Sequence, residues 1–353
     1  MIIGTCGFSW SGSSAVADFL AEFDENIVYN DDEFILAYYP DGLEDLDFQL
    51  NTKCSKFISS TLAIPRFRKT VNWLLKDITH GEIKKITDSY LDRLIQVKWK
   101  GIGQGVKILG STDLFRFLVR VSRHIPEQIV LKYNIPPVSL MEYSIKPDDF
   151  YEKTQQYVDN ILKAIGLDLE KNIVLDQPFP GNNPLQCMKY FRNSKAIIVD
   201  RDPRDLYLLA KEYFPRRTYQ TPHSNVQDFV DFYYHMHKDL KEVSKNPNVL
   251  CVNFEEMVFE YERTTNRIID FLGLGKHILP KHYFKPERSM ANTRLYKKCT
   301  KYPSDIKEIE SQLKEFLFDF ESYSDMEAVG DMFDENPPIQ WQKKEGDTLR
   351  TNQ

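Results

Sequence analysis

The sequence predicts an α/β protein: a doubly wound parallel sheet with a large, mostly helical insertion after its first strand. Four short apolar runs, Ile2–Cys6, Ile173–Leu175, Ala196–Val199 and Val249–Val252, have the near-continuous hydrophobicity of strands buried on both faces. Helical patterns follow three of them, at Ala15–Phe23, Leu206–Tyr213 and Arg263–Leu272. Strand followed by helix, repeated, is the rhythm of a doubly wound sheet. Ligands bind such sheets beyond the carboxyl ends of the strands. The residues just after each run are therefore the candidate functional ones.

After the first run stands Gly7-Phe8-Ser9-Trp10-Ser11-Gly12-Ser13-Ser14. Its spacing is that of a P-loop, G-x-x-x-x-G-[K]-[ST], with Ser13 in the lysine's place. Gly12 lets the backbone approach an anion closely, while successive N–H groups and the start of the next helix point at it. Gly7, Ser9, Trp10, Ser11, Gly12, Ser13 and Ser14 are the candidate phosphate-binding residues. The same segment also reads as a serine-rich cap joining strand to helix, which needs no ligand. The missing lysine weighs against an ATPase or kinase, which sets it on the β/γ-phosphates.

Residues 30–157 leave the strand–helix rhythm. Aromatic residues (Phe34, Tyr38, Tyr39, Trp73, Trp99) interleave there with helical pieces such as Phe67–Ile78, and the stretch reads as the insertion. Lys98, Lys100 and Lys107 flank the glycine-rich run Gly101–Gly105, either solvated or folded over the site. The later strands end in Asp176-Gln177-Pro178, in Asp200-Arg201-Asp202-Pro203-Arg204-Asp205 and in Asn253-Phe254-Glu255-Glu256. An arginine at a strand's carboxyl end can grip a phosphate bidentately. The run at Arg201 reads equally as a helix start capped by Asp202, with Arg201 and Arg204 as surface charges.

In order along the chain, these motifs resemble the sulfotransferases that use 3′-phosphoadenosine 5′-phosphosulfate (PAPS). Ser11-Gly12-Ser13-Ser14 is similar to the family's 5′-phosphosulfate loop, with Trp10 where a basic residue is usual. The resemblance gives Arg201 the nucleotide 3′-phosphate, with Leu209 in place of a further serine contact. The resemblance puts Phe254, before the family-like Asp270–Leu274 stretch, near the adenine pocket, where it stacks on the base or, as is commoner for an aromatic at a strand end, belongs to the core. Pro286–Thr293 resembles the C-terminal S-x-x-N segment that closes over the donor, which makes Arg288 and Asn292 donor-binding candidates. The resemblance covers about 1–25 and 170–300.

It implies transfer of a sulfuryl group from PAPS, with PAP as product, to a hydroxyl or amine acceptor. The aromatic insertion is a possible acceptor-binding region, and a carbohydrate is the acceptor its aromatics suggest. Such a transfer works by alignment and by stabilising spreading charge, and its logic calls for no metal. Asp176 is the candidate general base, with Asp200 in reserve. Gln177 stands where several family members carry lysine. Two other readings remain: a P-loop kinase or NTPase, and a non-catalytic nucleotide-binding relative.

Composition bounds the rest. With 353 residues and 42% hydrophobic content, the chain can bury one large domain over 1–325, leaving 326–353 as an acidic, polar tail. A net charge of −6 gives no general attraction to nucleic acid or anionic membranes. The five cysteines are scattered, with no CxxC pair, and read as reduced thiols. His235 and His237 fall in an aromatic run and read as packing or surface residues, not metal ligands. No run reaches transmembrane length, and the first strand begins at the initiator, so a cytoplasmic protein is expected. The oligomeric state stays open.

Overall fold

The computed structural model describes residues 1–29, 32–54, 58–75, 80–102, 117, 120–135, 138–216 and 219–326. Its strands are β1 (Ile2–Gly7), β2 (Asn26–Tyr29), β3 (Val97–Ile102), β4 (Val138–Tyr143), β5 (Asn172–Asp176), β6 (Ser194–Asp200) and β7 (Val249–Asn253). The chain divides into two compact units, one formed by Met1–Ala37 with Gly166–Gln353, the other by Tyr38–Ile165.

The first unit is built on a five-stranded sheet in the order β2-β5-β1-β6-β7, with every neighbouring pair parallel. The predicted α/β class with a central parallel sheet is what the chain forms. Ile3, Val174, Ile197, Val199 and Val252 enter one apolar layer with the first helix, α1 (Ser13–Leu20), and with the helices Phe254–Phe259 and Tyr261–Leu272. At Gly4 the central strand meets Phe179 and Pro178, and a Cβ there would come within 2.6 Å of the Phe179 ring. Glycine thus lets an aromatic ring lie directly on the strand.

All four predicted strands are present. The sequence reading missed β2, whose Asn-Ile-Val-Tyr is too short to show a period; it is held by its parallel pairing with β5. The helix expected at Leu206–Tyr213 starts earlier and changes character. It is α-helical over Pro203–Leu208 and π-helical over Leu209–Tyr213. Asp202 sets the start, because its side chain accepts from the Arg204 N–H at 2.9 Å, with Pro203 in the first turn. Leu209 is buried in the apolar cluster beside this helix.

In the second unit, the boundary expected at 157 falls inside the helix Phe150–Ala164. Tyr157, Val158, Ile161 and Leu162 of that helix are buried, and Tyr157 stacks on Tyr90 of the helix His80–Leu94 at 4.2 Å. Cutting there would expose an apolar face, so the unit runs to Ile165. Beside its helices it holds an antiparallel pair, β3 with β4, not visible in the helical reading of the sequence. Buried Glu142 of β4 accepts from both terminal nitrogens of Arg68, at 3.2 and 3.0 Å. Lys98 pairs with Asp92 within this unit.

Gly103–Lys107 and the tail from residue 327 lie outside the described residues. Among the described residues, no helix is long and apolar enough to cross a membrane. All five cysteines are free thiols.

Candidate active site

The carboxyl ends of β1, β5, β6 and β7 bring together the loop after Gly7, then Asp176-Gln177, Asp200-Arg201 and Asn253-Phe254. This is where an open parallel sheet places its ligands. The loop is tightly closed on itself. Ser11 N–H donates to the Phe8 carbonyl at 2.7 Å, and Phe8 N–H donates to Ser11 Oγ at 2.9 Å. Trp10 takes a left-handed conformation, φ 61°, which is uncommon for a bulky residue and is stored as strain. Gly12, φ 96°, leads into α1. A Cβ there would meet the Phe254 ring at 2.5 Å, so only glycine fits.

The backbone N–H groups of Ser9, Trp10, Gly12, Ser13 and Ser14 find no acceptor among the described residues. Neither do the hydroxyls of half-buried Ser9 and exposed Ser14. A run of unpaired N–H groups closing on a helix N-terminus is an anion cradle. Ser11 is the buried exception: its oxygen serves the loop, which leaves only its O–H to donate outward.

Gln177, which stands where the resembled family often has lysine, makes two hydrogen bonds to the loop after β1. Its Oε1 accepts from the Gly7 N–H at 3.2 Å, and its Nε2 donates to Ser13 Oγ at 3.0 Å. One side chain thus ties both ends of the loop to β5. Gln177 itself has φ 51°, a left-handed conformation that no residue pattern announces. Beside it, Asp176 Oδ1 accepts from Thr5 Oγ1 at 3.2 Å. Burial raises the Asp176 carboxyl above its ordinary range, against hydrogen bonds from Thr5, Ser13 and the Gln177 backbone.

Arg201 is 5% exposed. One terminal nitrogen donates to the Trp10 carbonyl at 3.1 Å and the other to the Asn292 carbonyl. Its guanidinium lies 4.8 Å from the centre of the Phe254 ring. Nε of Arg201 and Oδ1 of Asn292 are buried without a partner. Burial pulls the guanidinium pKa down, and the charges of Asp205, Glu255 and Asp202 oppose this. Those acids only partly compensate it. Burial raises Glu255 well above the carboxylate range and lifts Asp205 to about 7, while Asp202 is paired with Arg204 at 2.7 Å.

Several expectations are corrected here. Phe254 is buried between Gly12 and Arg201, so its ring positions the loop and offers no open face to a base. Arg204 is no surface charge: it stacks on Tyr296 at 4.0 Å and donates to Glu310 at 3.0 Å and to the Phe318 carbonyl at 3.2 Å. Asp200, the reserve base, is committed to structure. Its Oδ1 accepts from Arg201 N–H at 2.7 Å and Tyr233 O–H at 3.1 Å. His237 Nε2 lies 3.1 Å from the same oxygen, off the line of a hydrogen bond, and its Nδ1 lies 2.7 Å from the Tyr233 carbonyl. The imidazole stacks on Tyr233 at 3.7 Å and on loop residue Phe8 at 3.9 Å, while His235 is exposed. Arg288 is half-buried in the short helix Pro286–Ser289, whose next turn ends at Asn292. Among the described residues, no three His, Cys, Asp or Glu side chains gather as metal ligands would.

No protein-family model and no curated protein matches the chain. The solved structures it is similar to are sulfotransferases. The sulfotransferase domain of the curacin biosynthetic pathway superposes with a TM-score of 0.41 and 13% identity, over 90% of this chain and 98% of that one. The corresponding domain of the Synechococcus olefin synthase gives 0.40 and 14%, over 89% and 93%. The sulfotransferase STF1 of Mycobacterium tuberculosis gives 0.33 and 14%, over 78% and 67%. At these identities and scores the likeness adds no argument about the chemistry of this chain.

Proposed function

We propose that this chain is a PAPS-dependent sulfotransferase that transfers a sulfuryl group to a hydroxyl or amine acceptor. The observation that carries the reading is Arg201: a buried, incompletely compensated guanidinium whose terminal nitrogens meet only carbonyl oxygens, next to a loop of unpaired N–H groups. Neutral carbonyls are poor partners for a buried cation, and a phosphate would replace them with charge-assisted bonds. The two features together suit a ligand with two separated phosphate groups. The loop N–H groups would hold the 5′ side, and Arg201, whose buried Nε is also without a partner, the 3′-phosphate.

When bound, PAPS supplies an activated sulfuryl group and leaves as the 3′,5′-bisphosphate. The loop N–H groups and the N-terminus of α1 stabilise negative charge at the leaving phosphate, the part a P-loop lysine plays elsewhere. Gln177 keeps them aligned by fixing Gly7 and Ser13. Asp176 receives the proton of the acceptor's hydroxyl or amine, its basicity raised by burial. Transfer of labelled sulfate from PAPS to a mixed panel of small hydroxyl and amine acceptors tests this reading. Asp176→Asn should lower the rate by about 10²-fold or more while leaving PAP affinity within a factor of about three. Activity retained in Asp176→Asn would remove the base assignment.

A second reading, a non-catalytic nucleotide binder, draws on buried Leu209 and on Trp10, whose ring is stacked against Phe214 at 4.9 Å. Under it PAP binds and no acceptor is sulfated. A kinase is disfavoured by Ser13, whose hydroxyl is bonded to Gln177 where a lysine would reach the phosphates.

A further inference from the structure

The second unit holds a cavity of about 340 Å³ that the chemistry above does not use. Its floor is apolar, from Leu46, Leu62 and Ala63. Its walls carry Asp41, Asp45, Gln49, Lys53, Ser59 and Arg66. The backbone that presents these groups is irregular. Asp45, Gln49 and Lys53 follow at intervals of four along a helix that turns from α to π at Phe48, with Cys54 N–H donating to the Gln49 carbonyl five residues back. Asp41, at the rim, is left-handed with φ 61°. Irregular backbone of this kind costs stability and persists mainly where it aims side chains at a site.

Asp45 Oδ2 accepts from the Asp41 N–H at 2.6 Å, while the oppositely charged side chains of the wall are weakly engaged with one another. Arg66 and Asp41 approach only to 3.9 Å, both about half exposed, a pairing worth little. The side chains of Gln49 and Lys53 have no partner among the described residues. The lining therefore combines acceptors (two carboxylates), donors (an ammonium and a guanidinium), and an amide and a hydroxyl that are both. An ion of either sign would be attracted by half of it and repelled by the other half. A hydroxyl donates and accepts at once, so a ring carrying several hydroxyls satisfies both kinds of wall group, while its C–H face lies on the leucine floor. The volume is at the lower end of the roughly 300–1,000 Å³ of ligand sites.

From this we infer that the second unit is a carbohydrate-binding site, recognising a neutral sugar ring through Asp45, Gln49, Lys53 and Arg66. The inference goes beyond the transfer reading and holds with or without activity in the first unit.

The test is saturation-transfer NMR on the full chain, without nucleotide, against glucose, galactose, N-acetylglucosamine and lactose, with glycine as a zwitterionic control. At least one sugar should bind. Gln49→Ala and Arg66→Ala, both off the buried core, should each weaken that binding tenfold or more with an unchanged melting temperature. If no sugar binds, if glycine binds as well, or if both variants bind like the parent, the inference is overturned. PAP titration of the same samples is read separately, so failure here and failure of the donor reading are distinguishable.

Discussion

Gln177 and Trp10 stand where the sulfotransferases that the motifs resemble carry cations, and a sequence alone makes both look like losses. In space, Gln177 is a two-point tie on the loop after β1, made by a carbonyl to the Gly7 N–H and an amide to the Ser13 hydroxyl. A lysine could donate to one of these partners but could not accept from Gly7. The substitution therefore exchanges charge for rigidity. Each neutral bond of this kind contributes on the order of 1 kcal/mol. Gln177→Ala should accordingly weaken PAP binding by about tenfold, measured by calorimetry, with little change in the thermal midpoint. Unchanged affinity would show that the loop holds its shape without the tie. Trp10 contributes its carbonyl to Arg201, and no pattern of residue types announces a role played by the backbone.

At the level of elements, what was legible is what the backbone period writes directly. The four apolar runs are strands because a buried parallel strand needs nearly continuous hydrophobicity, and the loop after β1 was visible from its glycine and serine spacing. β2 was not legible: its four residues gain their place from pairing with β5, 146 positions away at Asn26 and Asn172. The α-to-π change at Leu209 was likewise hidden, since both helices bury similar stripes. The Asp200–Tyr233–His237 cluster joins β6 to the helix Val226–His237, so only the fold reveals it.

The loop itself offers an element-scale test. Gly12→Ala must hold φ near 96° and drive a methyl into the Phe254 ring. Gly166, φ 89°, has open space around it and provides the control. Gly166→Ala should cost about 1 kcal/mol from the backbone alone, and Gly12→Ala about 2 kcal/mol or more. Denaturant unfolding measures both. Equal costs would mean that Phe254 yields and that Gly12 is not held by the ring.

For the whole molecule, buried carboxyls set how stability responds to pH. Burial and the nearby Glu22 and Asp176 charges push Asp18 up to about 8, burial and Asp202 lift Asp205 to about 7, and burial holds Glu255 well above its ordinary value. In the unfolded chain such groups titrate near 4. Between that value and the raised ones the folded protein binds more protons than the unfolded chain, so stability falls as pH rises through this window. The melting temperature should therefore be higher at pH 5.5 than at pH 8.5, and Asp18→Asn should narrow the difference. A flat profile, or one that Asp18→Asn leaves unchanged, would contradict the assignment of buried protonated acids in the first unit.

Recognition of a nucleotide's 3′-phosphate by Arg201 is read out by calorimetric titration with PAP beside AMP. PAP should bind in the micromolar range, AMP about 10²-fold more weakly, and Arg201→Ala should lose that discrimination. Equal affinity for PAP and AMP, or discrimination that survives Arg201→Ala, would contradict it.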